Sequence, residues 1–410
     1  MSIFVPSSIG RQNQAFKEPF WREMAGWLST ASGRSVTMRT AIKVATVFAC
    51  CRVIGNGLAQ VPFKLMREVD GRRVPAKNHP LYRLLSLKPN DWQTSFEFRQ
   101  MLAWHIELAG RAFVFKNRSS NGRMLELIPF APGQVSPRRD PETLEMLYDV
   151  FGSDGTFRTF TKKHIWHLRG PTLDGIEGLD VVKLAGEAIG LAMTTEEAVA
   201  QLHRNGIRNS GIYSVEGTLD PKQYEDLSGW VTKQFAGLQN AGKPMILDRN
   251  AKFLNTSMSS IDAQSNETRK LQIEQICSFF GVLPIKVGYS DKTATFASAE
   301  EMNRAHREDC LSPRWEAFEQ SAAINLLGDE DLDAGYYFNF VEEGMMRGSA
   351  KDTAEVLLKY VNGGVMYPNE ARDKLDLNPD LDPSSNKLRI PANIVGDPKV
   401  AEPAPPALQE

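Results

Sequence analysis

The sequence predicts an α+β fold in which helical and extended segments alternate along the chain. Three patterns support this class. Apolar residues recur at helical spacing after residue 40, short strands fill residues 111–169, and an uninterrupted helical pattern begins at residue 179. Helical patterns repeat every 3.6 residues and strand patterns every two, so each change of period marks a new structural part. A chain of 410 residues is long enough for two or three such parts.

Composition limits the function classes. Hydrophobic residues make up 42% of the chain, which is enough for a packed core. The formal net charge of −2 argues against a protein that grips nucleic acid through its overall charge. No apolar run reaches the ~18 residues of a membrane helix, and we expect neither a membrane span nor a signal peptide. Cys50, Cys51, Cys277 and Cys310 lack metal-ligand spacing and are interpreted as buried free thiols of a reducing compartment.

The N-terminal residues, 1–36, are polar with scattered aromatic residues and are interpreted as an arm. The next part, 37–178, opens with a helix that Pro62 terminates. Asp70-Gly71 then marks the turn of a β-hairpin. One face of the opening helix is expected to contain Val44, Val47, Phe48, Cys51, Ile54 and Leu58.

Two further helices, HPLYRLL and TSFEFRQMLAWHIELAG, precede the strands, and Gly110 closes the second of them. Turns at Asn121-Gly122 and Asp154-Gly155 separate the strands that follow. Residues 37–178 are therefore predicted to be an α+β domain with an antiparallel sheet. Its strands are AFVFKN, MLELIPF, LYDVFG, FRTFT and HIWHLR.

A single long helix is predicted for residues 179–206. It contains Gly186 and Gly190, four residues apart, and two interpretations stay open. The glycines either only weaken a soluble helix, or they allow a neighbouring helix to approach closely in a ring of subunits.

A small α/β module is predicted at residues 207–258, with strands at GIYSV, PMILD and KFLN. Between the strands, Asp220-Pro221 caps a helix that runs to Gly237. A second long helix follows at 259–281. One face of that helix contains Ile273, Ile276, Cys277 and Phe280.

The loop at 282–297 is longer than the 2–8 residues usual between packed helices, and long loops are often functional. The next helix, 298–327, is predicted to begin with a capping box formed by Ser298 and Glu301. Pro313 lies inside this helix. Because proline lacks an N–H and clashes with the carbonyl group four residues earlier, we expect a bend around residues 310–312.

The C-terminal residues form the last predicted parts. Residues 328–378 are expected to contain a strand and two helices. The Pro-rich residues 379–410 are interpreted as a flexible tail.

Two apparent chemical motifs are rejected. GLQNAGKP, residues 237–244, fits G-x-x-x-x-G-K, but Pro244 offers neither the hydroxyl group nor the N–H of a phosphate loop. His164 and His167 are three residues apart in a strand, face opposite sides and have no acidic or cysteine partners nearby in the sequence. We therefore expect no enzyme, no cofactor and no metal site.

Eight segments that occur in order between residues 40 and 378 carry a family resemblance. Together they resemble the portal proteins of tailed double-stranded DNA bacteriophages, of the long-tailed type. The segments are VFACCRVIGNGLAQVPFKLM, HPLYRLLSLKPNDWQTSFEFRQML, GRAFVFKNR, HIWHLRGPTLDGIEGLDVVKLAGEAIGLA, RNGIRNSGIYSVEG, NAGKPMILD, SSIDAQSNETRKLQIEQICSFFGVLP and GGVMYPNEARDKLDL.

The resemblance implies the phage portal fold, assembled as a cyclic ring of usually twelve subunits around a central channel at one capsid vertex. DNA would enter through this channel during packaging and leave through it later. The implied parts are a wing at 37–178, a first stem helix at 179–206, a clip at 207–258, a second stem helix at 259–281, a tunnel loop at 282–297, a kinked helix at 298–327, and the rest of the wing with a short crown at 328–378.

The resemblance also implies partners and site residues. The partners would be the terminase large subunit, the major capsid protein, a head–tail adaptor protein and double-stranded DNA, in a virion assembled in the bacterial cytoplasm. Clip residues Tyr213, Tyr224, Trp230 and Lys233 are expected to dock the terminase or the adaptor. The loop residues expected to face DNA are Ile285, Lys286, Val287, Tyr289, Ser290, Asp291, Lys292 and Thr293.

Two alternatives belong to other function classes. The first is a structural component of a virion or injection machine without a DNA channel, which a channel too narrow for a duplex would favour. The second is an NTPase that uses GLQNAGKP, which nucleotide hydrolysis abolished by Lys243→Ala would favour.

Overall fold

The structure is a computed structural model that describes residue 30 and residues 33–152, 155–205, 211–214, 220–235, 252–255, 259–289, 296–341, 350–375 and 377–389. The chain divides into two compact units, residues 1–339 and residues 340–410. None of the helices within these described ranges is long and apolar enough to cross a membrane.

Helices and strands are numbered separately in chain order. The helices are α1 (Met38–Ala41), α2 (Ala45–Gln60), α3 (Pro80–Ser86), α4 (Ser95–Ala109), α5 (Val181–Leu184), α6 (Gly186–Asn205), α7 (Pro221–Phe235), α8 (Ser259–Phe280), α9 (Phe296–Ala305), α10 (Ser312–Leu326), α11 (Asp329–Asp333), α12 (Ala350–Asn362) and α13 (Pro368–Lys374). The strands are β1 (Phe63–Val69), β2 (Arg72–Pro75), β3 (Arg111–Arg118), β4 (Met124–Pro129), β5 (Val135–Arg139), β6 (Met146–Phe151), β7 (Phe157–Thr161), β8 (Ile165–Arg169), β9 (Gly211–Ser214), β10 (Lys252–Asn255) and β11 (Tyr336–Phe340).

The strands form small sheets with the orders β11-β1-β2, β4-β3-β8, β5-β6-β7 and β10-β9. The pairs β1–β2, β3–β4, β3–β8, β5–β6, β6–β7 and β9–β10 are antiparallel. This confirms the α+β class, although residues 37–178 contribute strands to three small sheets and not to one. Asp70 and Gly71 have φ values of 52° and 71°, which the tight β1–β2 turn requires.

Strand β5 is a feature that the sequence patterns miss. Its segment, VSPRR, contains Pro137, and proline usually argues against a strand. β5 lies at the edge of its sheet, where it pairs only with β6. An edge strand tolerates proline because one side of its backbone forms no ladder hydrogen bonds.

Helix α2 lies at the centre of the core because two glycines let other elements approach it. A Cβ atom on Gly55 would lie 2.4 Å from Trp104 Nε1, and one on Gly57 would lie 2.5 Å from Leu311 Cδ2. The buried Arg99 donates from Nη1 to the carbonyl oxygens of Leu58 and Val61 at the end of the helix. These carbonyl groups have no partner within the helix, so Arg99 satisfies them.

The predicted helix from Thr40 is divided, because α1 ends at Ala41 and α2 begins at Ala45. Phe48 was expected on the same face as the buried residues, but its side chain is 40% exposed. It packs edge-on against Trp104 with ring centroids 5.7 Å apart. The predicted burial of Phe48 is therefore wrong, because Trp104 covers only part of its ring.

Helix α4 begins and ends where the sequence predicts. Thr94 and Glu97 form a capping box, in which the Thr94 N–H donates to Glu97 Oε2 at 2.8 Å. Gly110 closes the helix with a φ of 71°. A local signal at each end therefore fixes the helix boundaries.

The single helix predicted at 179–206 is wrong, because the chain forms two helices, α5 and α6. Asp180 caps α5, and its Oδ1 accepts from the N–H of Lys183 at 3.1 Å. At Ala185 the backbone has φ −84° and ψ 7°, which interrupts the helix before Gly186. Glycine at this position has weak helix propensity and favours the interruption.

The described cysteines are buried and free, as predicted. The sulfur atoms of Cys50 in α2 and Cys277 in α8 are 3.9 Å apart, so the two helices are in direct contact. Ile276 and Phe280 on the same face of α8 are also buried. Ile273 is only partly buried.

The second unit contains α12 and α13, whose buried core includes Leu357, Val361 and Ala371. Residues 379–410 were expected to be a flexible tail, and that expectation is wrong for the described residues 379–389. The side chain of Asn369 donates to the Asp380 carbonyl oxygen at 3.0 Å and to Asn386 Oδ1 at 2.9 Å. These bonds fix the segment to α13, and residues 390–410 lie outside the described residues.

We predict that Gly110→Ala destabilises the protein far more than Gly122→Ala. Both glycines have positive φ, so each alanine variant incurs about 1 kcal/mol of backbone strain. A Cβ atom on Gly110 would in addition lie 2.2 Å from the Leu179 carbonyl oxygen, whereas nothing lies within 4 Å at Gly122. Chemical denaturation should show that Gly110→Ala lowers the free energy of unfolding at least twice as much as Gly122→Ala does. Equal losses would contradict the close packing at Gly110.

Candidate functional site

The loop between α8 and α9 starts from a fixed base. Gly281 has φ 64°, and the N–H of buried Val282 donates to the Cys277 carbonyl oxygen at 2.9 Å. These bonds close the end of α8. Residues Pro284–Val287 then form one 3₁₀ turn that ends at Gly288 with φ 88°. The first part of loop 282–297 is therefore ordered structure, although the sequence predicted a loop throughout.

Lys286 connects this 3₁₀ turn to the helix on the other side of the loop. Its Nζ donates to Asn303 Oδ1 on α9. Of the predicted DNA-facing residues, Ile285, Lys286 and Val287 lie in the turn and Tyr289 follows it, and all four are partly buried. Ser290, Asp291, Lys292 and Thr293 lie outside the described residues.

The predicted capping role of Ser298 is wrong. Helix α9 already begins at Phe296, so Ser298 is the third residue of the helix and cannot be its cap. Phenylalanine and alanine both accept helical backbone geometry, and the helix therefore extends past the sequence signal. Glu301 forms an ion pair with Arg304 on the exposed face of the same helix.

Before Pro313 the structure has a π-helical segment at His306–Leu311, directly before α10, and the bend itself stays a prediction. The N–H of Ser312 donates to the Arg307 carbonyl oxygen, five residues earlier. Pro313 has no N–H, so it donates no backbone hydrogen bond in either the α-helical or the π-helical pattern. A π-helical turn therefore costs less free energy directly before this residue than elsewhere in the helix. The irregularity thus lies a little earlier in the chain than residues 310–312.

Arg314 joins this segment to the rest of the core. Its guanidinium forms a two-point contact with Glu107 of α4, with Nε–Oε1 at 2.7 Å and Nη2–Oε2 at 3.1 Å. It also donates to the carbonyl oxygens of Cys310 at 2.6 Å and Phe280 at 2.9 Å. Burial by itself would lower the pKa of Arg314, but the hydrogen bond to Glu107 raises the pKa above its usual value. Arg314 therefore stays charged and connects the end of α8 and the π segment to α4.

His306 is a buried member of the π segment, and its Nδ1 has no hydrogen-bond partner among the described residues. Burial, together with the positive charges of Lys286 and Arg314, lowers the pKa of His306 to about 4. The side chain is therefore neutral at physiological pH and packs as part of the core.

The small module presents two aromatic side chains to solvent. Tyr224 and Trp230 lie on α7 and are 64% and 42% exposed. β9 and β10 pair antiparallel, with Tyr213 opposite Phe253. The side chains of Tyr213 and Lys233 lie outside the described residues, as do PMILD and the helix end predicted at Gly237.

The next residues are those of the two motifs that the sequence analysis rejected, the histidine pair and GLQNAGKP. His167 is buried against Phe113, with ring centroids 4.4 Å apart, whereas His164 is exposed. Among the described residues, no group of three or more His, Cys, Asp or Glu side chains could hold a metal ion. GLQNAGKP, at 237–244, lies outside the described residues.

The family model described as "Phage portal protein" matches residues 45–376, more than three quarters of the chain. The chain therefore belongs to the phage portal protein family, as the sequence resemblance indicated.

Relatives and solved structures agree with this membership. The portal protein of Enterobacteria phage HK97 is 24% identical over 341 residues, which are 82% of this chain and 80% of the relative. The probable portal protein of Streptomyces phage phiC31 is 26% identical over 376 residues, which are 89% of this chain and 81% of the relative.

The solved structures show the same fold. A chain in the neck of an empty gene transfer agent (GTA) particle, computed with C6 symmetry, has a TM-score of 0.59 and 23% identity, over 84% of this chain and 93% of that one. An HK97-family phage portal protein from Corynebacterium diphtheriae has a TM-score of 0.53 and 14% identity, over 75% of this chain and 96% of that one.

We predict that Arg314→Met costs about 3–5 kcal/mol of stability, because it leaves the carboxylate of Glu107 buried without its partner. Arg304→Met is the matched control on α9, since its pair with Glu301 is exposed to solvent and should contribute little to stability. Chemical denaturation measures both losses. The double variant Arg314→Met/Glu107→Met should recover part of the lost stability. Similar losses of stability for Arg314→Met and Arg304→Met would contradict the anchoring role of Arg314.

We further predict that Pro313→Ala removes the π segment. Alanine restores an N–H at position 313, and α-helical hydrogen bonds then become available through residues 306–311. The far end of loop 282–297 should move with α9. An electron cryomicroscopy structure of the variant measures both changes, and an unaltered bond from Ser312 to the Arg307 carbonyl would contradict the prediction.

Proposed function

We propose that this chain is the subunit of a ring-shaped portal at one capsid vertex, through which double-stranded DNA is packaged and ejected. The family match over residues 45–376 carries the proposal. Similar chains come from particle necks computed with C6 and C12 symmetry, which supports a homo-oligomeric ring of about twelve subunits. Rings of this kind need different, complementary faces on each subunit.

The loop is the part of the subunit that would contact DNA. Its base is held by the hydrogen bond from Lys286 to Asn303 of α9 and by the hydrogen bond from Arg314 to the Phe280 carbonyl oxygen at the end of α8. A conduit must not hold DNA tightly, because each neutralised phosphate strengthens binding. A net charge of −2 and the few lysines of the loop suit weak, sliding contacts.

The clip would dock other components of the particle. Exposed aromatic side chains such as Tyr224 and Trp230 commonly contribute much of the binding energy at protein interfaces. We assign these two residues, with Tyr213 and Lys233, to the terminase large subunit or the head–tail adaptor. The major capsid protein would surround the ring in the virion, after assembly in the bacterial cytoplasm.

The chain itself would supply no catalysis, because packaging is driven by the separate terminase ATPase. Native mass spectrometry and electron microscopy of the purified protein test the conduit. The expected result is a ring near twelve times 45.8 kDa with a channel that admits a DNA duplex. A compact dimer, or a ring too narrow for DNA, would favour a structural component without a DNA channel.

We predict that deletion of residues 288–294 leaves ring assembly intact and impairs DNA packaging or retention. The deletion begins after Val287 because Lys286 holds the base of the loop. A packaging assay on particles carrying the variant measures the effect.

Two matched variants separate an effect of the loop side chains on DNA from an effect of the clip on partner binding. A Gly/Ser replacement of equal length should show the same packaging defect if the loop side chains act on DNA. Tyr224→Ala/Trp230→Ala should keep DNA retention within filled particles but weaken terminase or adaptor binding. Loss of the ring after loop deletion would contradict the proposed role of the loop.

A further inference from the structure

A basic cleft of about 690 Å³ lies apart from the loop and the clip in sequence. It forms where the end of β3, the turn between β7 and β8, and the end of α10 meet. The cationic side chains that line it are Lys116, Arg118, Lys162 and Lys163, with His164 beside them.

Lys116 is the buried member of this cleft. Its Nζ donates to the Lys162 carbonyl oxygen at 2.8 Å and to the Asn325 carbonyl oxygen at 2.9 Å. These bonds use two of the three N–H donors of the ammonium group. Burial lowers the pKa of Lys116 to about 8, and the two carbonyl oxygens stabilise the charged form. Lys116 is therefore a fixed positive charge at neutral pH.

The cations at the rim are not neutralised. Lys162 and Lys163 are exposed, and no carboxylate in the described part of the chain pairs with either of them. Arg118 donates to the carbonyl oxygen of Gly122 at 3.1 Å, a neutral acceptor that leaves its charge uncompensated. The carboxylate of Glu126 next to the cleft accepts a hydrogen bond from the amide of Asn117 at 3.0 Å.

We propose that the basic cleft binds the phosphodiester backbone of double-stranded DNA without reading its sequence. This proposal rests on the proposed function as a DNA conduit. A duplex carries one negative charge per about 1.7 Å of its axis, so neighbouring phosphates can engage several of these cations together. A docked protein segment is usually held by a strip of apolar contacts or by strand pairing. The apolar side chains that line this cleft are Phe115 and Ile324, and four cations stand beside them.

The test compares two charge reversals in the assembled protein. Lys162→Glu/Lys163→Glu changes the cleft, and Arg72→Glu/Arg73→Glu makes the same change in charge at an exposed pair on β2. Fluorescence anisotropy measures binding of a mixed-sequence duplex of about 30 base pairs between about 50 and 200 mM salt. We expect the cleft variant to bind at least tenfold more weakly at low salt. The slope of log K against log salt should become less negative by about 2. The β2 variant should retain most of its affinity.

Equal weakening by both variants would overturn the proposal, because overall charge would then explain the binding. Tighter binding of polyglutamate than of the duplex, lost in the cleft variant, would overturn it in favour of an acidic protein segment. Lys162→Gln/Lys163→Gln gives the same comparison if the reversed variant does not fold. Native mass spectra distinguish failure of the proposed function from failure of the cleft proposal. A protein that forms no rings would contradict the proposed function as a portal. Intact rings of the cleft variant that bind DNA with unchanged affinity would contradict DNA binding by the cleft.

Discussion

The partly buried guanidinium of Arg314 is the constraint on which the site depends. A charged group removed from water must have each of its donors satisfied, and here the partners come from three different elements. Glu107 lies on α4, Phe280 ends α8, and Cys310 belongs to the π segment. Since one planar group must reach all three, their relative positions are fixed to within hydrogen-bond tolerance. The end of α8, from which the loop starts, is thereby connected to the helical core.

The core can place these elements so close together because α2 carries glycine where other elements meet it. Gly55 admits the indole of Trp104, and Gly57 admits the side chain of Leu311. Larger residues at either position would push α4 or the π segment outward. Small residues on a central helix thus set the distance between the body of the subunit and the base of the loop.

The sequence predicted those features that local chemistry decides. Helix α4 has a capping box at one end and Gly110 at the other, and both signals lie within a few residues of the boundary. The sequence could not indicate the role of Arg314, because Glu107 is 207 residues away and only the folded core brings the two together. Ser298 failed as a cap for a related reason, since α9 starts two residues earlier than its strongest local signal. The sequence did not predict strand β5, because it contains Pro137. A strand tolerates proline at the edge of a sheet, and only the fold shows that β5 lies at an edge.

The π segment has a consequence for how this family can diverge. A π turn accommodates one residue more than an α turn, so a helix can gain a residue there while the helical stretches on both sides keep their packing. His306–Leu311 stands between α9, which adjoins the loop, and α10, which packs into the core. Deletion of one residue from this segment, with a return to α geometry, would leave α9 and α10 in their present orientations, whereas the same deletion within an α-helical stretch would rotate one side by about 100° and shift it by about 1.5 Å. Related chains could therefore gain or lose a residue between the loop and the core through a change of one codon, without any redesign of the core that supports them.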